Sequence, residues 1–118
     1  MTQSDLELKR QLYSLALHDG LRRIVASLIQ IPEVELVVVF GSYVRNRRDL
    51  FTDLDLLIVM ESDKGFVERV ADLHGRIGSG VDVDYFVYTP SEFERLRHTR
   101  FIRHALGTGE TLYEKRGD

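Results

Sequence analysis

The sequence predicts a small α/β (α+β) fold, a mixed β-sheet with helices packed against it. Three observations carry that expectation. Three short apolar runs rich in β-branched residues, VELVVVF at 34–40, LDLLIVM at 54–60 and VDVDYFVY at 81–88, are too short for typical helices and read as strands. Stretches with leucine and valine at helical intervals precede and separate them. Glycine-rich or proline-containing breaks punctuate the boundaries, at Gly41-Ser42, Gly65, Gly78-Ser79-Gly80 and Thr89-Pro90.

Taken in order, Ser4 and Glu7 have capping-box spacing, and Leu8, Leu12, Leu15, Leu21, Ile24, Val25 and Leu28 recur at helical intervals. One long amphipathic helix is expected over residues 4–30, ending ahead of Pro32, with Gly20 as the candidate bend. Residues 34–40 read as a strand buried on both faces. Gly41 ends it, and residues 42–48 are expected to form a short helix. Residues 53–60 form the second strand, closed by the polar Glu61-Ser62-Asp63-Lys64-Gly65. Phe66, Val67, Val70, Leu73 and Ile77 mark the second helix, stopped by Gly78-Ser79-Gly80. Residues 81–88 are the third strand. Thr89-Pro90-Ser91-Glu92 supplies an N-cap, a proline at the first helical position and a capping-box glutamate. Helical segments are expected up to Leu106, terminated by Gly107, and residues 111–114 form a short closing strand. The order is α-β-α-β-α-β-α within one domain spanning residues 1–118.

Composition narrows the function classes. At 118 residues, 43% hydrophobic and 30% charged, the chain is an ordinary soluble globular length of protein. A net charge of -3 offers no global field for nucleic acid. Without cysteine, disulfides and thiolate metal sites are excluded, which is compatible with a reducing cytoplasm. No apolar run approaches the roughly 20 residues of a membrane span, and the amino terminus has no apolar signal core. A cytoplasmic, membrane-free protein is the expectation.

The chemistry concentrates at Gly41-Ser42, followed after ten residues by Asp53-Leu54-Asp55. Carboxylates inside a sheet are costly unless they bind metal or are paired. Alternation along a strand turns Asp53 and Asp55 to one face, about 6.6–6.8 Å apart along the backbone, where both can converge on metal. Asp82 and Asp84 share a face by the same rule, and one of them completes a three-carboxylate cluster if strand 81–88 lies beside strand 53–60. Hard oxygen donors favour Mg²⁺ or Mn²⁺, and two such ions about 3.5–4 Å apart activate an attacking hydroxyl and neutralise a leaving pyrophosphate. The third carboxylate can also act as general base. Gly41, lacking Cβ, lets backbone amides approach a phosphate, and Ser42 at the start of the short helix adds a hydroxyl donor. Arg45, one turn on, reaches toward a triphosphate, and Asn46 tolerates a left-handed turn. A phosphate seat beside a divalent-metal site points to nucleotidyl transfer.

At these residues the sequence resembles the minimal nucleotidyltransferases (MNT type) of the DNA polymerase β-like superfamily. Their Gly-Ser, ten residues and Asp-x-Asp are matched by Gly41, Ser42, Asp53 and Asp55. The wider pattern is met as GSYVRN and TDLDLLIV, departing at Val44, Asn46 and Thr52. The family's third carboxylate, on a strand running into a Thr-Pro helix start, falls by register at Asp84, six residues before Pro90, with Asp82 as the alternative. The resemblance implies the polymerase β-like palm fold. It also implies transfer of a nucleoside monophosphate from an NTP, usually ATP, to a hydroxyl, with Mg²⁺ and release of pyrophosphate. Catalytic and metal-binding roles then fall to Asp53, Asp55 and Asp84, and nucleotide binding to Gly41, Ser42 and Arg45. Chains of this size resemble the antitoxin half of HEPN–MNT toxin–antitoxin pairs, which place AMP on a tyrosine of the HEPN partner.

Two other readings compete. One is a nucleotide- or toxin-binding module that neutralises by occlusion without catalysis. The other is transfer to a nucleic acid or a small molecule. Arg95, Arg97, Arg100 and Arg103 with Phe93 and Phe101 suggest a nucleic-acid surface, but the three-residue recurrence of Arg97, Arg100 and Arg103 reads better as the solvated face of a helix backed by Phe101, Ile102 and Ala105. His18, His74, His98 and His104 show no metal-site spacing. Tyr43 either packs near a base or faces solvent. The leucine-rich first helix offers a surface for self-association, as a homodimer, or for a partner.

Overall fold

The structure is a computed structural model that describes residues 2–45, 53–78 and 80–116. Helix α1 (Gln3–Ile29) leads into strand β1 (Val34–Phe40), which turns into β2 (Leu54–Met60). Helix α2 (Phe66–Arg76) carries the chain to β3 (Val83–Tyr88), and α3 (Pro90–Leu96), α4 (Arg100–Thr108) and β4 (Glu110–Glu114) close it. The sheet has the order β3-β2-β1-β4. β1 runs antiparallel to β2 and β4, while β2 and β3 are parallel, joined through α2. This is the mixed sheet flanked by helices that the patterning implied.

Alternation along the strands sorts side chains into two layers. Val37, Val39, Leu54, Leu56, Ile58, Val83, Tyr85 and Val87 pack beneath α1 and α2 with Leu17, Leu21, Ile24, Leu28 and Leu73. Val38, Phe40, Leu57 and Val59 pack on the other face against Ile102 and Ala105 of α4 and Phe93 and Leu96 of α3. The central strands are buried on both sides, which is why their sequences are continuous rather than alternating apolar runs.

Several boundaries differ from expectation. α1 is capped by Thr2, whose hydroxyl accepts from the Asp5 amide while the Asp5 carboxylate accepts from the Thr2 amide. That box displaces the Ser4–Glu7 pairing by two residues. Gly20 is buried inside an unbroken helix rather than at a bend. β2 starts at Leu54, leaving Asp53 just ahead of it, and β3 starts at Val83, leaving Asp82 outside. The basic segment is broken by turns at 97–98 into two helices, so Arg97 lies in the turn that ends α3 while Arg100 opens α4. α4 runs through Gly107 and stops at Gly109. A Cβ at Gly109 would stand 2.8 Å from Val38 Cγ1 and 2.8 Å from the Val39 carbonyl, so close passage against β1 selects glycine there. Of the short helix expected over 42–48, residues 41–45 form turns with one bond from the Arg45 amide to the Gly41 carbonyl, at 3.3 Å. Positions 46–48, with Asn46, lie outside the described residues, as do Thr52 and Ser79.

Arg69 of α2 ties three elements together. Its side chain is 6% exposed, and its guanidinium donates to both Glu92 oxygens at 2.7 and 3.0 Å. It also donates to the Lys64 carbonyl at 2.8 Å and the Val87 carbonyl at 3.1 Å. A buried guanidinium is tolerable only when its donors are used in this way. Glu92 simultaneously accepts from the Thr89 amide at 2.9 Å, completing the capping box of α3. The α2–β3–α3 corner, adjoining the strand that carries Asp84, is thereby fixed.

Candidate active site

The site lies at one end of the sheet, where β1 finishes and β2 and β3 begin. Gly41 leaves β1 with φ +80°, a left-handed conformation that an L side chain resists. Phe40, just before it, is the Cα partner of Asp55. The turn therefore folds directly over that aspartate: a Cβ on Gly41 would overlap Asp55 Oδ2 and stand 3.3 Å from its Cγ. Glycine at this position leaves room for the carboxylate, an independent reason for the residue that composition alone does not give.

On the other side of β2, the parallel register makes Asp84 the Cα partner of Asp55. The Leu54 amide donates to the Asp82 carbonyl at 3.1 Å, so Asp82 contributes backbone at the margin while Asp84 sits within the ladder. Since Leu54 and Leu56 point to the α1/α2 core, Asp55 and Asp84 share the α3/α4 side with Phe40, Leu57 and Phe86. Asp55 is half-buried; Asp53 and Asp84 are exposed. Burial first, then the charges of Asp84 and Asp53, push the Asp55 carboxyl up from its ordinary value, and Arg45 pulls it partly back. The four charged groups thus form one electrostatic cluster. Among the described residues, no three histidine, cysteine or carboxylate side chains are gathered tightly enough to hold a metal ion as they stand.

Ser42 is half-buried and Arg45 exposed at the turn. Between them, Tyr43 is buried and its hydroxyl lies 3.2 Å from His18 Nδ1 of α1. Tyr43 is therefore an anchor that holds the turn to the helix, not a solvent-facing ring. A second feature, missed by motif reading, is an aromatic floor. Phe40, Phe86 and Phe101 pack with centroids 5.1–5.7 Å apart beside the carboxylates, and Phe101 is 41% exposed rather than sunk in the core. Phe86 lies two residues after Asp84, the spacing that puts both on one face. Of the histidines, His74 meets the Tyr85 ring edge to face, with centroids 4.8 Å apart, and lies away from the carboxylates on the α2 side. No helix among the described residues is long and apolar enough to cross a membrane.

Comparison with known proteins places the chain and its fold. The family model described as nucleotidyltransferase domain matches residues 19–79, which include Gly41, Ser42, Asp53 and Asp55. No curated protein is significantly similar in sequence. Among solved structures, a candidate nucleotidyltransferase from Sulfolobus solfataricus superposes with a TM-score of 0.61 at 20% identity, covering 91% of this chain and 88% of that one. A mutant form of the toxin–antitoxin complex MntA-HpeT matches with a TM-score of 0.52 at 19% identity, covering 80% of this chain and 72% of that one. A toxin–antitoxin structure with AMP-PNP matches equally, 0.52 at 19%, covering 79% and 73%. At these identities the structural likeness speaks to the fold.

Proposed function

Because the chain belongs to the nucleotidyltransferase domain family, we propose that it transfers AMP from ATP to a hydroxyl, and that the hydroxyl is a tyrosine of a HEPN-type partner protein. The observation that carries the catalytic part is the junction of Gly41, Asp55 and Asp84 across three neighbouring strands. The partner rests on the likeness to toxin–antitoxin structures, one of them with an ATP analogue.

In this reading the amides around Gly41, the Ser42 hydroxyl and the Arg45 guanidinium hold the triphosphate. Asp84 accepts the proton of the acceptor hydroxyl while the hydroxyl oxygen bonds to the α-phosphorus and the bond from that phosphorus to the α–β bridging oxygen breaks, releasing pyrophosphate. Asp53, Asp55 and Asp84 suit Mg²⁺ in kind, all three offering hard oxygen donors, and they would have to draw together to hold it. When bound, the metal supplies charge neutralisation for the attacking and leaving oxygens. Asp55 holds its carboxylate directly beneath Gly41, in the space a Cβ there would fill.

The test is incubation with α-labelled ATP, Mg²⁺ and a lysate of the native host, comparing the wild type with Asp53→Ala/Asp55→Ala. A protein band labelled by the wild type alone supports transfer, and mass spectrometry of the band identifies the acceptor. Confirmed ATP binding with no label on protein, nucleic acid or small molecule would replace this reading with a binding module. A labelled nucleic acid would retain the enzyme and replace the acceptor.

A further inference from the structure

Helix α1 carries a second stripe that its own fold leaves uncovered. The stripe facing the sheet is Leu17, Leu21, Ile24 and Leu28. Opposite it, Leu8, Leu12, Leu15, Asp19, Arg22, Ala26 and Ile29 follow one another in alternating steps of four and three, the spacing of a coiled-coil seam. Leu8, Leu12, Leu15 and Ile29 are 55%, 57%, 61% and 40% exposed. Scattered exposed apolar residues are ordinary, but Leu12, Leu15 and Ile29 share one seam, with Leu8 one turn beyond it. Burial within α1 begins only at Leu17, and free helical turns of the length preceding it are marginal in water.

We propose that this seam pairs antiparallel with the same seam of a second copy of the chain. The two polar positions in its middle identify the occupant. Asp19 and Arg22 are exposed and enter no ion pair among the described residues. In the antiparallel register that alternates seam positions correctly, Leu12 meets Ile29, Leu15 meets Ala26 and Asp19 meets Arg22 of the other copy, and two-fold symmetry repeats each layer. Two Asp–Arg pairs then occupy the centre, bracketed by apolar layers. A parallel in-register pairing would instead set Asp19 on Asp19 and Arg22 on Arg22. Polar seam positions cost stability but fix orientation and register. The paired segment, residues 12–29, is about 26 Å of helix, at the small end of specific interfaces, so association in the micromolar range is expected. The candidate active site lies on the opposite face of the sheet, so both sites stay open in the dimer. The inference does not depend on the reaction.

The experiment is sedimentation equilibrium of the full chain from about 1 to about 200 µM, with circular dichroism to verify folding. The wild type is expected to approach twice 13.6 kDa. Asp19→Arg alone, or Arg22→Asp alone, places like charges in both central layers and should weaken the dimer at least tenfold; combining them restores opposite charges and the dimer. Because the chain has no cysteine, Leu15→Cys and Ala26→Cys variants mixed before oxidation should yield the mixed disulfide. A wild type that stays monomeric throughout, single reversals without effect, a folded double variant that stays monomeric, or Leu15→Cys crosslinking chiefly to itself would each overturn the proposal.

Discussion

Replacing Gly41 by alanine is the sharpest perturbation of the site, because one methyl acts on stability and chemistry to different extents. At φ +80° the substitution carries a left-handed strain of roughly 1–2 kcal/mol. The methyl also overlaps Asp55 Oδ2 and sits 3.3 Å from Cγ and 3.6 Å from Cβ, so the carboxylate must rotate away. A carboxylate tip can turn, which keeps the total stability loss at about 1–3 kcal/mol, or about 4–10 °C in thermal midpoint for a domain of this size. Catalysis has no such escape. A group displaced by about 1 Å costs on the order of 100-fold in rate, so label transfer per folded molecule should fall by that factor or more. Gly109→Ala is the control: its methyl overlaps the Ala105 carbonyl and meets Val38 Cγ1 and the Val39 carbonyl at 2.8 Å, with an ordinary φ of -86°, so it should lower the midpoint at least as much without a specific loss of transfer. A folded Gly41→Ala protein within threefold of wild-type transfer would refute the claim that this glycine exists to seat Asp55.

Other perturbations separate charge from packing. Hydrogen bonds from Arg69 and the Thr89 amide hold Glu92 down at about 2 from 4.5; its contribution is therefore fully present above pH 4.5 and disappears as pH falls through about 2. With the carboxylate 29% exposed, the contribution is discounted to about 1–2 kcal/mol, and Glu92→Gln should lower the denaturation midpoint at pH 7 while flattening its decline in acid. Asp55→Asn should abolish transfer and, in metal-free buffer at neutral pH, raise the midpoint by a few degrees, roughly 0.5–1 kcal/mol, since the carboxylate is buried beside Asp84 and Asp53; a lowered midpoint would contradict the like-charge crowding. Asp84→Asn should reduce transfer at least 100-fold and Asp82→Asn less than threefold, and kinetics with equal losses would remove the distinction drawn from the β2–β3 register.

Where the sequence was legible, a single local rule decided the outcome. Val34–Phe40 and Leu54–Met60 are strands because β-branched apolar runs of seven residues fit nothing else as well. Thr89-Pro90-Ser91-Glu92 caps a helix because each residue has one job there. The expectation that strand 81–88 adjoins strand 53–60 holds through the observed β2–β3 pairing. The misreadings arise where a tertiary neighbour chooses between local equals. Gly107 and Gly109 are indistinguishable as helix stops until Val38 and Val39 crowd one of them. Arg69 reads as one surface cation among many until Glu92, twenty-three residues on, and the Val87 carbonyl enclose it. Asp53 and Asp82 were assigned to strands that begin one residue later, because alternation cannot say where pairing starts.

The two faces of the sheet divide the work of the molecule. On the α1/α2 side the strands meet an unbroken apolar cluster, and large-to-small changes there, at Leu56 or Ile58, carry the usual core penalty of about 2–5 kcal/mol. On the α3/α4 side the same strands open, within two residues of Phe40 and Phe86, into carboxylates that repel one another and a glycine in the left-handed region. Such an end of a sheet is not self-stabilising; its shape has to be imposed by its surroundings. Three attachments impose it: Tyr43 bonded to His18 of α1, the Phe40–Phe86–Phe101 cluster beneath, and the Arg69–Glu92 clamp behind β3. Loosening any one should therefore disturb the geometry of the carboxylates before it unfolds the protein. Tyr43→Phe, which removes only a hydroxyl 3.2 Å from His18, is the mildest way to see that order of events.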